Sequence, residues 1–307
     1  MAETTTIRMG GYGPPTTTHN RGLKYIGDRL SAQFGDRVNI IYVWNVMDFG
    51  YGSEALLWLT ECGILDLSYL STTPMAPRVP ELEFADLPFL FADNASARAA
   101  YDGALGDHMR AAIEACCNVK VLGFFENGFR HLSNRLREVR RPADLAGMSI
   151  RTLGSEMYDR TFELLGMIPH PMRLDKARIA IPENHVDAQE NPFANTMTYG
   201  FLHAHKFHTL SSHFYLSRSI NVNPQKFVSW PADIQMAFEA AVPEAVAHQR
   251  ELAVVEEDIG RAEIEKVGGT VYELDANDHA AFAAAVAPIY DEARARFGDA
   301  MFTMIGC

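Results

Sequence analysis

The fold is decided first by residues 5–43, which read TTIRMGGYGPPTTTHNRGLKYIGDRLSAQFGDRVNIIYV. Residues 5–9 and 38–43 have the composition of short strands. Between them, apolar side chains recur at helical spacing, at Leu23, Ile26, Leu30 and Phe34. A predicted helix over 54–62 and a predicted strand over 65–70 continue the alternation. Alternating strands and helices predict an α/β fold with a largely parallel sheet and crossover helices.

The size and charge of the chain limit the classes of protein to which it can belong. It has 307 residues, of which 48% are hydrophobic, enough for two lobes that each have a core. No run of 18 apolar residues is present, so no transmembrane helix is expected. The formal net charge of −12 argues against nucleic acid and anionic membranes as partners. An anionic ligand would therefore have to be held locally, by arginines or helix N-termini.

Neither the N-terminus nor the cysteines decide the compartment. The first residues, MAETTT, contain no basic region followed by an apolar stretch. The protein is expected either to be cytoplasmic or to have had its signal peptide removed from this sequence. The cysteines form no C-x-x-C motif, and small core side chains are favoured over a disulfide or a metal site. They are Cys62, Cys116, Cys117 and Cys307.

The rest of the chain continues with strands and helices. The predicted elements are a helix over 95–117, a strand over 120–125 ended by the sequence NGFR at 127–130, a strand over 149–152 and a helix over 155–165. Asp175 is expected to cap the next helix. Residues 232–267 predict one helix, which at 1.5 Å per residue would be about 54 Å long and would bridge two lobes. Pro243 should kink this helix or divide it in two.

Two polar residues in short motifs indicate a binding site. Arg151 ends the sequence LAGMSIR at 145–151, and burying its guanidinium costs too much free energy unless an anion pairs with it. A guanidinium can form two parallel hydrogen bonds with a carboxylate, and strand ends in α/β lobes are common ligand sites. Asn191 could donate its amide to the same carboxylate. The alternatives are a surface ion pair for Arg151 and a turn role for Asn191 before Pro192.

Five short motifs, taken in order, resemble one family. They are LPFLF at 87–91, NGFR at 127–130, LAGMSIR at 145–151, LG at 165–166 with PM at 171–172, and DAQENP at 187–192. Their order and spacing resemble the solute-binding proteins of tripartite ATP-independent periplasmic (TRAP) transporters, the DctP-like family, over nearly the whole chain. The resemblance implies a two-lobed periplasmic binding protein fold. Each lobe is a mixed, mostly parallel sheet flanked by helices, and a long helix spans both lobes.

The resemblance also implies roles for residues. Arg151 matches the arginine that clamps the ligand carboxylate, and Asn191 matches the asparagine that holds the same group. Arg130 matches a second arginine that contacts ligand in many members, with structural pairing to Glu126 or Glu190 as the alternative. Lobe I is expected to comprise residues 1–126 and 215–253, and lobe II residues 127–214 and 254–307, with the ligand cleft between them.

The remaining candidate contacts are expected to supply shape and specificity. In the first lobe, Tyr12 follows the first strand, and Ser71 and Thr72 follow the strand over 65–70; turn chemistry and helix capping are the alternatives. Phe214 could stack beneath a ligand or pack in the core. Leu174 would supply an apolar wall.

Some residues depart from the family pattern or suggest other chemistry. Asn184 stands where glycine is usual, but asparagine can adopt the left-handed conformation needed after a helix. Pro182 is expected in the last turn of that helix. A metal site at His203, His205 and His208 is disfavoured, because no acidic or cysteine partner accompanies them. A polar helix face is the preferred interpretation of these histidines.

The expected function is binding without chemistry, with no cofactor and no metal. A periplasmic protein would capture a small organic acid and deliver it to the membrane permease subunits of a TRAP transporter. The acid could be a sugar acid, a dicarboxylate, an aromatic acid or a sulfonate. One alternative is an enzyme acting on a small carboxylate on the same scaffold, although no G-x-S-x-G, P-loop or H-E-x-x-H motif is present. The other is a periplasmic sensor-partner protein.

Overall fold

The computed structural model describes residues 4–305, in which strands and helices alternate as an α/β fold. The strands are β1 Thr5–Gly10, β2 Val38–Val43, β3 Leu67–Ser71, β4 Lys120–Asn134, β5 Ser149–Thr152, β6 Ile168–Pro171, β7 Ala188–Asn191, β8 Phe207–Val222 and β9 Thr270–Glu273. The helices are α1 Thr18–Phe34, α2 Ala55–Glu61, α3 Asn94–Tyr101, α4 Ala104–Cys116, α5 Glu156–Leu164, α6 Leu174–Ala180, α7 Phe193–Thr198, α8 Pro224–Ser229, α9 Ala232–Lys266, α10 Ala276–Val286, α11 Pro288–Phe297 and α12 Asp299–Thr303. Within residues 4–305, no helix has both the length and the hydropathy needed to span a bilayer.

The chain forms two compact units, each made of three separate segments. Within the described range, unit 1 consists of residues 4–72, Gly106–Glu126 and Ser217–Ala253. Unit 2 consists of Thr73–Leu105, Asn127–Leu216 and residues 254–305. Thr73–Leu105 was predicted in lobe I, and this assignment is wrong because the segment packs in unit 2. For example, its Glu83 carboxylate accepts a hydrogen bond from the backbone N–H of Glu156 at 3.0 Å.

Unit 1 contains the parallel strands that the N-terminal alternation predicts. β1 pairs in parallel with β2, from Thr5↔Val38 to Gly10↔Val43, and also with β3. β3 pairs antiparallel with β8, ending at Ser71↔Arg218. Helix α1 buries the predicted apolar positions Leu23, Ile26 and Leu30. The polar ends of β1 and β3 therefore lie on the same edge of this sheet.

Unit 2 has a mixed sheet around its own core. β5 pairs in parallel with β6 and β7, and β7 pairs antiparallel with β4, from His131↔Asn191 to Asn134↔Ala188. β8 pairs in parallel with β9. Helix α5 buries an aromatic face against this sheet. The core includes Leu145, Ile150, Tyr158, Phe162, Leu165, Phe214, Phe282 and Val286.

Three long elements belong partly to each unit. β4, β8 and α9 each contain a unit boundary, at 126–127, 216–217 and 253–254. The long helix predicted over 232–267 is confirmed as α9, a single helix of 35 residues. Of the two effects predicted for Pro243, a kink or a division, the division does not occur, because a proline removes only one N–H donor from the helix. Buried side chains on both sides, Val242 and Val246, hold the helix in place around it.

Several local predictions need correction. The helix predicted over 95–117 is two helices, α3 and α4, separated at Asp102 and Gly103. β4 continues through the NGFR motif because its residues 131–134 pair with β7. Asp175 lies in the first turn of α6 and does not cap it, and Pro182 lies beyond that helix. Asn184 has φ 60°, the left-handed conformation predicted for it.

Candidate functional site

Arg151 lies near the end of β5, with its side chain buried. β5 places it opposite His170 of β6, and the whole residue is 3% exposed. Its Nε donates a hydrogen bond to the carbonyl oxygen of Met172 at 2.9 Å. That bond fixes the direction of the guanidinium, which is planar and permanently charged. A fixed, buried cation at a strand end can bind an anionic group.

Arg130 and Asn191 meet on neighbouring strands, β4 and β7. Nε of Arg130 donates to the carboxylate of Glu190, and Nη2 donates to Oε1 of Glu190 at 2.7 Å. The same Nη2 donates to the backbone oxygen of Glu190 at 2.8 Å and to Oδ1 of Asn191 at 3.0 Å. Nδ2 of Asn191 donates to Oε1 of Gln189. The alternative of a structural pairing between Arg130 and Glu190 is therefore confirmed.

Burial and two nearby arginines have opposing effects on the pKa of Glu190. Burial raises the pKa of the Glu190 carboxyl, while the charges of Arg130 and Arg151 act in the opposite direction. Burial alone would lower the pKa of Arg130, but the charge of Glu190 outweighs it and the pKa lies above its ordinary value. His213 lies 3.8 Å from Glu190, and burial holds its pKa well below the ordinary value, so it is neutral near pH 7. Arg130 therefore stays charged beside Glu190, whereas His213 adds no charge.

A second buried acid lies near this group in unit 2. Asp86 accepts a hydrogen bond from Oγ1 of Thr73 at 2.7 Å. Burial raises its pKa to about 8, so at pH 7 the carboxyl is largely protonated. Because it is largely neutral, Asp86 cancels little of the charge of the arginines.

The two apolar candidates occupy different places. Phe214 belongs to the core of unit 2, where its ring stacks on Tyr158 with centroids 4.0 Å apart. This is the arrangement that its core-packing alternative predicts. Leu174 is the first residue of α6 and is 7% exposed. A wall next to a ligand remains a prediction for Leu174.

In unit 1, the candidates Tyr12, Ser71 and Thr72 lie close to β8. The backbone N–H of Tyr12 donates to the hydroxyl oxygen of Tyr69 at 3.3 Å. Thr72 donates both its N–H and its hydroxyl to the carbonyl oxygen of Ser217, at 3.2 and 3.3 Å. These bonds tie Thr72 to β8, and contact of Tyr12, Ser71 and Thr72 with a ligand stays a prediction.

Arg218 was missed in the sequence and is central to this part of unit 1. It is directly opposite Ser71 in the pairing of β3 with β8, and it is 4% exposed. Its guanidinium carbon lies 4.8 Å from the ring centre of Tyr12 and 5.7 Å from that of Tyr69. The signal was available, because Arg218 is a lone charge in the strand sequence FYLSRSINV. The same argument that selected Arg151 applies to it.

The histidine and cysteine predictions have mixed outcomes. His205 and His208 do not share a polar helix face: both are buried, and His208 lies on β8. Burial lowers the pKa of His205 to about 3 and that of His208 to about 4. Among residues 4–305, no group of three or more metal-ligating side chains comes together. Cys117 is buried as expected, whereas Cys62 and Cys116 are exposed.

Comparison with known proteins assigns the family. Residues 16–296 match the family model of DctP, the bacterial extracellular solute-binding proteins of family 7. The chain belongs to this family. It is therefore a TRAP solute-binding protein, a transport protein and not an enzyme, and proteins of this family are periplasmic and work with membrane permeases.

Relatives and solved structures agree with this assignment. A solute-binding protein of Verminephrobacter eiseniae is 33% identical over 245 residues, covering 80% of this chain and 72% of the relative. The 2,3-diketo-L-gulonate-binding periplasmic protein YiaO of Escherichia coli is 32% identical, covering 65% of this chain and 61% of that protein. A TRAP periplasmic solute-binding protein from Polaromonas, crystallised with D-erythronate, is 27% identical, with a TM-score of 0.90 and 98% of each chain covered. The two-lobed periplasmic binding protein fold predicted for this TRAP solute-binding protein is thus confirmed.

Proposed function

We propose that this protein binds the carboxylate of a small organic acid in unit 2, through Arg151 and Asn191, and delivers the acid to a TRAP permease from the periplasm. The observation that carries the proposal is the buried Arg151 guanidinium, oriented by the carbonyl of Met172. A guanidinium held in this way can bind both oxygens of a carboxylate. This contact accounts for binding of the ligand and requires no catalytic group.

Asn191 is proposed to assist through its amide nitrogen. That nitrogen has two hydrogens, and one of them is donated to Gln189. The oxygen of the amide accepts a hydrogen bond from Arg130, and this bond fixes the orientation of the amide group. In this proposal Arg130 acts through its observed bonds: it orients Asn191 and neutralises Glu190.

The charge balance favours one carboxylate at this position. Arg130 is paired with Glu190, and the buried Arg151 adds a second positive charge in unit 2 that can match a carboxylate of the ligand. Two of the similar proteins support a hydroxylated monocarboxylic acid as the ligand class. They are the Escherichia coli relative, named for 2,3-diketo-L-gulonate, and the Polaromonas protein, crystallised with D-erythronate. Both compounds carry a single carboxylate and several other oxygen atoms.

The test is a thermal-shift screen of organic acids followed by calorimetry on Arg151→Gln. The variant should lose about 2–5 kcal/mol of binding free energy, because the carboxylate loses its charged partner in a desolvated site. The matched control is Arg135→Gln, whose side chain is 36% exposed and pairs with Asp187 in the same unit. The control should bind as tightly as the wild type. Equal affinity of Arg151→Gln and the wild type would reject the clamp.

A further inference from the structure

The orientation of two buried amides in unit 2 follows from the chemistry of one arginine. A guanidinium can only donate hydrogen bonds, so the Asn191 atom that Nη2 of Arg130 contacts at 3.0 Å must be the oxygen. The amide nitrogen of Asn191 then faces Gln189. The Gln189 atom that it meets must accept a hydrogen bond, so it is the oxygen Oε1. Arg130 therefore assigns oxygen and nitrogen in both amides.

The amide nitrogen of Gln189 is held by two hydroxyl groups. Nε2 donates to Oγ of Ser133 at 2.6 Å and to Oγ1 of Thr196 at 3.3 Å. Ser133 is directly opposite Gln189 in the pairing of β4 with β7, and Thr196 lies on the following helix, α7. All three side chains are buried. Both hydrogens of the Gln189 amide are used in this way, and a buried amide cannot rotate without losing these bonds.

The same network continues to a buried histidine. Oγ of Ser133 accepts from Gln189, so its own hydrogen is donated to Nδ1 of His205 at 2.9 Å. Burial lowers the pKa of His205 to about 3, so near pH 7 the ring carries one proton, which this bond assigns to Nε2. Nε2 is buried and has no hydrogen-bond partner within residues 4–305, so its own contacts do not select this tautomer. The direction of the network therefore predicts the tautomer of His205.

We infer that Gln189 is a positioning residue, which takes one amide hydrogen of Asn191 and thereby aims the other at the carboxylate of the ligand. This inference rests on the proposed function, in which Asn191 assists Arg151. An amide held by its oxygen and by one N–H presents only a donor to the ligand, and it loses little conformational entropy on binding. A carboxylate can only accept, so it fits this donor. Gln189 thus contributes to affinity through Asn191 and not by a contact of its own.

A double-mutant cycle tests whether Gln189 acts through Asn191. Affinities for D-erythronate, D-gluconate and succinate are measured by calorimetry, and the acid that binds most tightly is the probe. Gln189→Leu should bind the probe about 10-fold more weakly than the wild type, because the Asn191 amide loses one of the two bonds that orient it. In the Asn191→Ala background the same change should alter affinity by less than about 2-fold, since the oriented group is absent. An equal loss in both backgrounds would indicate a general structural role and overturns the inference.

The tautomer of His205 gives a second readout that needs no ligand. Long-range ¹H–¹⁵N spectra of protein labelled with ¹⁵N-histidine distinguish protonated from unprotonated ring nitrogens, and His205→Asn assigns the signals. The proton should be on Nε2; a proton on Nδ1 would reverse the network and overturn the inference. Ser133→Ala keeps the inference testable if Gln189→Leu does not fold. It should weaken binding about 3-fold in the wild-type background only, because Gln189 loses one of its two anchors.

A control and two comparisons separate the failure of the inference from that of the proposed function. Gln235→Leu removes a glutamine whose Nε2 donates to the carbonyl oxygen of Trp230 in unit 1, and this variant should bind like the wild type. If Arg151→Gln and Asn191→Ala both bind as tightly as the wild type, the proposed function fails. If Asn191→Ala loses affinity while Gln189→Leu does not, the inference alone fails.

Discussion

Replacing Arg130 with methionine should destabilise unit 2 far more than replacing an exposed charged residue would. Arg130 is 1% exposed, and the side chain of its partner Glu190 is fully buried. The substitution removes the hydrogen bonds that Nε and Nη2 donate to that carboxylate, together with those to the Glu190 carbonyl and to Asn191. Removing one partner of a buried ion pair costs about 3–5 kcal/mol, because the remaining charge stays desolvated.

The magnitude is checked by urea denaturation at neutral pH with three variants. The surface pair Arg135–Asp187, with side chains 36% and 18% exposed, supplies the control Arg135→Met, which should cost about 0–1 kcal/mol. The double variant Arg130→Met with Glu190→Leu should recover most of the lost stability, since no buried charge of the pair remains. Unfolding should be followed by circular dichroism, because the three tryptophans, Trp44, Trp58 and Trp230, all lie in unit 1. A cost for Arg130→Met no larger than that of Arg135→Met would refute the reasoning.

Two other substitutions test buried groups. The folded-state pKa of Asp86 is about 8, which lies above the ordinary 3.8. Between these two values the native state holds a proton that the unfolded state releases. Stability therefore falls as pH rises from about 4 to 8. Asp86→Asn keeps the acceptor for Thr73 and should remove about 3–4 kcal/mol of the stability difference between pH 5 and pH 8 in urea titrations; an unchanged difference would show that Asp86 is ionised in the native state. Gly260→Ala should lower the melting temperature, because the new Cβ would lie 2.5 Å from the backbone carbon of Phe193, and overpacking of this kind costs about 1–3 kcal/mol. The exposed change Asp258→Ala in the same helix is the control, and equal melting of the two variants would contradict the close packing seen at Gly260.

The fold could be predicted from the sequence where local pattern and packing agree. The strand at 149–152 and the helix with Leu23, Ile26 and Leu30 on one face are both observed as expected. Pattern failed where tertiary pairing decides an element's length. β4 continues to Asn134 because β7 pairs with it. The sequence of residues 127–134 alone does not predict this pairing.

The site was predicted in part, for a similar reason. Arg151 was selected because an isolated buried charge needs an anion, and this argument requires only local sequence. That Arg130 pairs with Glu190 was left as one of two alternatives, because the two residues are 60 positions apart and meet only through the pairing of β4 with β7. Arg218 was overlooked because the rings beneath it come from distant parts of the sequence, from Tyr12 after β1 and from Tyr69 within β3.

Each unit is made of separate chain segments, and this affects how the protein can fold during translation. β3 ends at residue 71, but its neighbour β8 supplies the matching stretch only at residues 218–222. During translation the hydrogen-bonding edge of β3 stays unsatisfied while almost 150 further residues are made, and an open edge invites pairing with other chains. Unit 1 can close only once residues 217–253 have emerged. Folding should therefore be slow and largely post-translational, which leaves the chain extended for a secretion machinery and makes its yield sensitive to holding chaperones.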